Sequence, residues 1–458
     1  MPFRSINPAT GETVATHDAM SGAQIDDALN RAVAAQREWA AMPMSERARH
    51  MHALSDHLLA GKAEFAALMS REMGKLYAQG IAEIEKCAWV CRFYADQAEA
   101  FLAPDPIETE AYRSYVNFRP LGVVLAIMPW NYPFWQVLRF AAPALMAGNG
   151  AVLKHAPNVF GCSLAIEALF REAGFPEHLF RSLLVDIPET TAAIHDPRIA
   201  AVSITSSVRA GRAVAAEAGR ALKKCVLELG GSDPFIVLED ADLARAVEVG
   251  ITARFQNSGQ SCIAAKRFIV VDEVYDAFER RFVDAASSLS MGDPLDAKTQ
   301  IGPLARVDLR DELADQVRRS ALAGARILTG GEVPAGLGAF YPPTVLAGVE
   351  AGMAAWSEEL FGPVATLIRV RDEVEAIRVA NATEFGLSGA VWTRDLARGE
   401  RIAAQQIESG AAFVNSMSKS DPRMPFGGIR HSGYGRELSI YGIREFVNIH
   451  AVWVEAPD

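Results

Sequence analysis

Cysteine is scarce in this chain and does not fall into pairs. Its five residues, Cys87, Cys91, Cys162, Cys225 and Cys262, are odd in number, scattered, and form no CxxC. That usage excludes a disulfide scaffold and suits a reducing compartment. Cys87 and Cys91 stand four apart and would share a helix face. No histidine is near them in sequence, so packing is expected there, and no metal site is expected anywhere. Long hydrophobic runs are missing too. No stretch reaches 18 apolar residues, which excludes a membrane-spanning helix. Met1-Pro2-Phe3-Arg4-Ser5 lacks the apolar core of a secretory leader, so a cytoplasmic location is expected. Positive charge is in deficit: 45 Lys and Arg against 56 Asp and Glu leave a net charge of −11. This argues against non-specific binding to nucleic acid or to an anionic membrane. Internal repeats and low-complexity segments are absent.

What remains is an ordinary globular composition, half hydrophobic and 22% charged, over 458 residues. A chain of that length is expected to divide into two or three domains. Residues 1–20 read as a short strand and turn broken by Asn7-Pro8 and Thr10-Gly11. Helical spacing runs from Ser21 to about Phe101, with Ser45 as an expected N-cap and Gly61 and Gly74 as expected breaks. Pro104 and Pro106 end it. The alternation of Tyr112, Ser114, Val116 and Phe118 with polar neighbours predicts a strand with two half-polar faces, as in a hairpin arm.

Leu121–Met128 is an uninterrupted apolar run and predicts a buried strand. Strand and helix then alternate twice over, first to about residue 230 and again from 234 to about 415. Repeated βα units predict two doubly wound parallel sheets, which take ligands beyond the carboxyl ends of their strands. Lys154, Thr205 and Glu228 fall at such ends. Gly230-Gly231 is expected to be a flexible joint between the two halves. The apolar Phe446–Val454 has no helix of its own and is expected to pair with another subunit.

Three residues carry candidate chemistry. Cys262 ends a polar, glycine-containing run, Phe255–Ser261, ahead of the β-prone Phe268–Val271. A thiol so presented is either a reactive thiolate or a small buried hydrophobe. Glu228, inside the apolar Cys225–Gly231, is either a general base with a raised pKa or half of an ion pair. Asn131, in Pro129-Trp130-Asn131-Tyr132-Pro133, is either an oxyanion donor or an Asx-turn side chain.

Taken together these pieces resemble the aldehyde dehydrogenase superfamily over nearly the whole chain. The resemblance rests on Pro129–Pro133, Lys154, Leu227–Gly231, Gly259–Cys262, Glu358–Pro363 and Pro425–Gly428, in that order, with Cys262 following Glu228 by 34 positions. The run Leu222–Leu238 is most similar to the short succinate-semialdehyde dehydrogenases. The implied fold is α/β, with two doubly wound parallel-sheet domains and a β oligomerisation arm. Residues 1–103 and 121–228 would form the dinucleotide-binding domain and 229–430 the catalytic domain. Residues 104–120 and 431–458 would form the arm and tail of a homodimer or dimer of dimers.

The resemblance implies a role for each site residue. Cys262 attacks an aldehyde as thiolate, Asn131 and the Cys262 N–H hold the oxyanion, and Glu228 activates the water that releases the acid. The cofactor, NAD or NADP, would be met by Met128, Trp130, Lys154, Pro157, Thr205, Ser207, Leu229, Glu359 and Phe361. Two departures bear on it. Ser206 replaces a usual glycine, and Pro157 stands where NAD-preferring members often carry an acid, so Lys154 and His155 are free to favour a 2′-phosphate. For a substrate bearing a carboxylate, Arg139 is the implied anchor, lined up with Trp135, Ser261, Ser418, Lys419 and Ser420. A second arginine found in some relatives is Gln256 here.

The expected reaction is therefore NAD(P)-dependent oxidation of succinate semialdehyde. Glutarate semialdehyde, an uncharged aldehyde, or CoA-acylating chemistry are the alternatives, and Glu228 speaks against the last. A cofactor-free thiol hydrolase would need a histidine partner that no matched motif supplies.

Overall fold

The computed structural model describes residues 2–457. The chain opens on an antiparallel pair, β1 (Phe3–Ile6) and β2 (Thr13–His17). Three long helices follow, α1 (Gly22–Ala41), α2 (Met44–Met73) and α3 (Tyr77–Phe101). Ser21 and Gln24 close a capping box on α1. Helix α2 starts earlier than the sequence suggests. The Pro43 carbonyl accepts the first helical bond from Arg47 N–H, so Ser45 lies inside the helix and caps nothing. Gly61 also lies inside α2, whereas Gly74, left-handed at φ 76°, does end it.

The short β3 (Asp105–Pro106) and the arm strand β4 (Arg113–Pro120) lead into the first sheet. Its chain path is β5 (Val123–Met128), α4 (Trp135–Met146), β6 (Gly150–His155), α5 (Phe160–Glu172), β7 (Phe180–Ser182), α6 (Ile187–His195), β8 (Ile199–Thr205), α7 (Val208–Arg220) and β9 (Lys224–Glu228). Alternation along β5 sends Val124, Ala126 and Met128 to the core shared with α2 to α5. Val123 and Leu125 go to the opposite core, which α1 joins through Ala28, Leu29 and Ala32.

The second half runs β10 (Asp233–Val237), α8 (Leu243–Phe255), β11 (Ala265–Val271), α9 (Asp272–Ser287), α10 (Val307–Leu322), β12 (Arg326–Thr329), β13 (Thr344–Ala347), α11 (Ala354–Ser357), β14 (Val364–Val370), α12 (Glu373–Asn381), β15 (Ser388–Trp392), α13 (Leu396–Gln405) and β16 (Ala411–Val414). Its seven strands lie in the order β12-β13-β14-β11-β10-β15-β16, parallel except for β12. Both sheets are doubly wound α/β layers. Only Leu229–Ser232 separates β9 from β10, so the carboxyl edge of the first sheet abuts the amino edge of the second.

The last residues depart from a simple tail. β17 (Gly433–Tyr434) pairs antiparallel with β9, setting Gly433 opposite Glu228, and completes the order β17-β9-β8-β5-β6-β7. After α14 (Ser439–Ile443), Phe446 is buried in the first core. The final strand, β18 (Val447–Val454), pairs along its whole length with β4 of its own chain through one of its two edges. The reason is local: β4 offers an unpaired edge with matching alternation. In the resulting sheet, β18-β4-β3, the outer edge of β18 stays open.

Candidate active site

Cys262 follows a strained loop. Asn257, Ser258 and Gly259 are left-handed at φ 56°, 53° and 72°, which costs on the order of 1–3 kcal/mol at each of the two non-glycine positions. Surrounding bonds hold them there. Asn257 N–H donates to Gln79 Oε1 (2.9 Å), and its amide donates to the carbonyls of Asn131 (2.9 Å) and Gln260 (3.1 Å). Ser258 Oγ donates to Gly302 O (3.1 Å) and accepts from Gly302 N–H (3.0 Å). The buried guanidinium of Arg254 donates to Gly259 O and Leu360 O, both at 3.1 Å, and to Gly362 O. The nucleophile loop is thereby tied to the Glu359–Phe361 loop. A Cβ at Gly259 would run into the Gly362 carbonyl.

Buried Lys266 Nζ donates to the carbonyls of Ser261 (3.0 Å) and Cys262 (2.8 Å) and pairs with Glu359 at 3.4 Å. Glu359 in turn accepts from Gly231 N–H at 3.0 Å. Gly230-Gly231 is therefore no flexible joint. A Cβ on Gly231 would lie 2.8 Å from Cys262 O, and one on Gly230 would strike Glu359. Glycine is needed there for close approach, not for mobility.

Asn131 is held from both sides. Its Nδ2 donates to Gln260 O and its Oδ1 accepts from Gln136 Nε2, each at 3.1 Å. One amide hydrogen of the two is left over. The Cys262 N–H donates to no group among the described residues. An Asx turn does not describe this arrangement, because both partners of the side chain lie outside the Pro129–Pro133 turn.

Glu228, at the end of β9, is buried and neither of its carboxylate oxygens has a hydrogen-bond partner among the described residues. Burial, then the neighbouring Glu437, holds its carboxyl well above the usual range, against the pull of Arg139 and Arg436. Burial likewise raises Glu437, which Arg139 draws back. Arg139 is itself buried. Its Nε pairs with Glu437, its Nη2 donates to Thr205 Oγ1 (3.3 Å), and its guanidinium lies 4.5 Å from the Phe426 ring centre. The Cys262 thiol is pushed up to about 12, by burial first, although Arg139 and Lys266 pull it down.

Two hollows meet at Cys262. A cleft of about 750 Å³ is lined by Trp130, Asn131, Thr205, Ser206, Ser207, Leu229, Glu359 and Phe361 among others. A smaller cavity of about 210 Å³ is lined by Trp135, Arg139, Ser261, Ser418, Lys419 and Ser420 among others. Cys262 and Gln136 belong to both.

The larger cleft fits a dinucleotide. Val208 and Arg209 open α7 on its wall, and their first-turn N–H groups have no intrahelical acceptor. Ser207 caps the same helix through Ala210 N–H (3.4 Å). Met128, Lys154 and Pro157 stand outside this cleft, at and beyond the ends of the neighbouring β5 and β6. His155 cannot meet a phosphate. It is fully buried, its Nδ1 accepts from Ala156 N–H (2.9 Å), its Nε2 donates to the Pro133 carbonyl (3.0 Å), and burial lowers it to about 4, so it is neutral near pH 7.

Sequence reasoning missed several members of the site. Glu437 and Gln136 lie outside the matched motifs. Glu83 and Lys86 sit on α3, where helical periodicity gave no sign of chemistry. Glu83 Oε1 accepts from Phe134 N–H and Trp135 N–H, both at 2.9 Å, and so fixes the start of α4. Cys87 and Cys91, on the same helix, pack in the core.

Comparison with known proteins adds a family. The sequence profile described as the aldehyde dehydrogenase family matches residues 1–452. The succinate semialdehyde dehydrogenase [NAD(P)+] Sad of Escherichia coli (strain K12) is 49% identical over 449 residues, covering 98% of this chain and 97% of that protein. Succinate-semialdehyde dehydrogenase [NADP(+)] 1 of Mycobacterium ulcerans (strain Agy99) is 50% identical, covering 99% and 100%. Among solved structures, the succinic semialdehyde dehydrogenase of Streptococcus pyogenes in complex with NADP+ superposes with a TM-score of 0.97 at 37% identity, covering 99% and 100%.

Proposed function

Because this chain belongs to the aldehyde dehydrogenase family, we propose that it oxidises succinate semialdehyde to succinate with NAD(P)+. One observation carries the reading: a single thiol stands where a dinucleotide-sized cleft meets a small cavity walled by cations and hydroxyls. The relatives that match it over nearly their full length are named for that substrate and for NAD(P)+ or NADP+.

Cys262 Sγ adds to the aldehyde carbon as thiolate. The free Asn131 amide hydrogen and the Cys262 N–H receive the developing oxyanion, and the bonds to Gln260 and Gln136 aim the amide in advance. When bound in the large cleft, NAD(P)+ supplies the hydride acceptor that turns the thiohemiacetal into a thioester. Thr205, Ser207, Leu229, Glu359, Phe361 and the start of α7 would hold it. Glu228 takes a proton from water as the water attacks the thioester. A carboxylate of raised pKa is the stronger base, and Arg139 keeps it ionisable beside Glu437. Hydrolysis returns the thiolate and releases the acid.

Lys154, at the end of β6, reaches the adenosine ribose, and Pro157 brings no carboxylate to repel a 2′-phosphate, so both cofactors are used. The exposed faces of β4 and β18 form the interface of a homodimer or dimer of dimers in the cytoplasm.

The test is initial-rate formation of NADH and NADPH with succinate semialdehyde, glutarate semialdehyde and butanal. A kcat/KM for succinate semialdehyde well above that for butanal supports the assignment. Equal or better use of butanal overturns the substrate and leaves the family chemistry standing.

A further inference from the structure

A trans peptide unit points its C=O and its N–H to opposite sides. The unit that joins Ser261 to Cys262 is trans, so it turns its N–H away from whatever holds the Ser261 carbonyl. Buried Lys266 holds it. Nζ donates to Ser261 O at 3.0 Å and to Cys262 O at 2.8 Å. Ala264 N–H adds a further bond to Ser261 O at 3.2 Å. Lys266 is itself fixed near the start of β11, where Thr366 Oγ1 donates to its carbonyl at 2.9 Å. Burial works against its charge, and Glu359, 3.4 Å away, and Asp233 sustain it. On the far side of the same unit, the Cys262 N–H meets no acceptor among the described residues, and Cys262 lines both hollows. A cation on the carbonyl draws electron density from the amide. Hydrogen bonds in a chain polarise one another in this way, and the N–H becomes a stronger donor.

We propose that Lys266 is the positioning residue of the oxyanion site: it grips the Ser261 carbonyl from behind, and so aims and polarises the Cys262 N–H toward the oxygen of the carbonyl under attack. This rests on the reading that Cys262 attacks a carbonyl carbon. Lys266 does for the backbone donor what the bonds to Gln260 and Gln136 do for the Asn131 amide. Its contact with Glu359 ties that donor to a loop on the wall of the large cleft.

The test compares two reactions of one thiol. With p-nitrophenyl acetate, the Cys262 thiolate adds to the ester carbonyl and an oxyanion develops. The oxyanion collapses to the thioester as the C–O bond breaks and p-nitrophenolate leaves. With iodoacetamide, the S–C bond forms as the C–I bond breaks, iodide leaves, and no oxyanion develops. Lys266 and Arg139 draw the thiol down against burial, Glu359 and Glu228. Loss of the Lys266 charge therefore lowers the thiolate fraction for both reactions, whereas loss of the donor touches acylation alone.

Lys266→Met should slow acylation about 10- to 100-fold more than alkylation, at or below the loss from removing an oxyanion donor outright. Cys262→Ala supplies the background for both rates. Lys266→Gln, which loses the charge but keeps a shorter donor, is measured beside it and should show the same bias at smaller size. A melting temperature close to that of the wild type qualifies each variant. Equal losses in the two reactions would reduce Lys266 to the charge of the thiolate or to packing, and unchanged acylation would remove it from the site. Either result overturns the proposal. Neither reaction needs NAD(P)+ or succinate semialdehyde, so a chain that fails to oxidise that aldehyde still tests the donor. A wild type that p-nitrophenyl acetate does not acylate at Cys262 overturns the oxyanion site, and the role of Lys266 with it.

Discussion

Glu228 and Cys262 are both held in the state that is less useful for catalysis until the reaction calls on them. Burial raises both, and both need partners to ionise. Because Glu228 sits well above the ordinary carboxylate range, its base form is lost as pH falls through that raised value. Steady-state kcat should therefore drop on the acid side at a pH clearly above 4.5, and Glu228→Gln should remove that limb. The same variant should accumulate an acyl-enzyme on Cys262, visible by intact-mass spectrometry, and unchanged turnover would refute the assignment. Cys262→Ala should abolish turnover while NADPH still binds, read by fluorescence titration. Arg139→Met is expected to disturb the buried carboxylate cluster. It leaves Glu437 buried without its cation, a penalty of about 3–5 kcal/mol when a buried pair is broken. Thermal stability and turnover of every aldehyde should fall together. A normal melting temperature with a selective loss on acids would contradict this.

At the scale of elements, the nucleophile loop is fixed by neighbours drawn from three places. Arg254 reaches from α8, Gln79 from α3, and Gly302 from the loop before α10. Strain in Asn257 and Ser258 is held by these bonds, so loosening one should misplace the thiol rather than unfold the domain. Gly259→Ala is the sharpest probe, since the new Cβ meets both a left-handed backbone and the Gly362 carbonyl. kcat should fall by about 100-fold, the order of loss that a 1 Å misplacement brings, with the circular dichroism spectrum preserved. Retained activity would show that the loop tolerates displacement. Helix α3 is the element whose importance the sequence hid. Its periodicity announces packing, and it does pack, yet Glu83 and Lys86 stand one turn apart facing α4 and the cavity. A helical pattern reports which face is buried and not what that face meets.

For the whole molecule, the open question is what covers the three-stranded sheet. Tyr112, Ile449 and Trp453 are 76%, 65% and 51% exposed, large apolar groups beside a free strand edge, which is the surface proposed above as the interface. Sedimentation should find at least a dimer at micromolar concentration, and Ile449→Lys with Trp453→Lys should shift it toward monomer. A monomeric wild type would remove this surface from the assembly. Much of the fold was legible along the chain. The βα alternation announced the two doubly wound sheets, and the long apolar run Leu121–Met128 is a central strand. The errors fell where contacts between distant segments decide. Gly230-Gly231 read as a hinge because close approach of Glu359 and Cys262 is invisible in a dipeptide. The pairing of the last strand with β4 went unseen because its match lies far back in the chain.

The sequence by itself determined the chemistry available: one thiol in a presented loop, a carboxylate at an apolar strand end, an amide between two prolines, and the order and spacing that tie them to a family. These follow from residue type and local pattern, which short-range sterics and hydrophobic periodicity write directly into the chain. Only the tertiary structure decided which charges meet. Arg139 and Lys86 look alike as cations in sequence, but Arg139 pairs with Glu437, whereas Lys86 meets Ser420 and the Trp135 ring. An ion pair in a low-dielectric interior forms with whatever the fold brings within a few ångströms, and separation along the chain carries no trace of that choice.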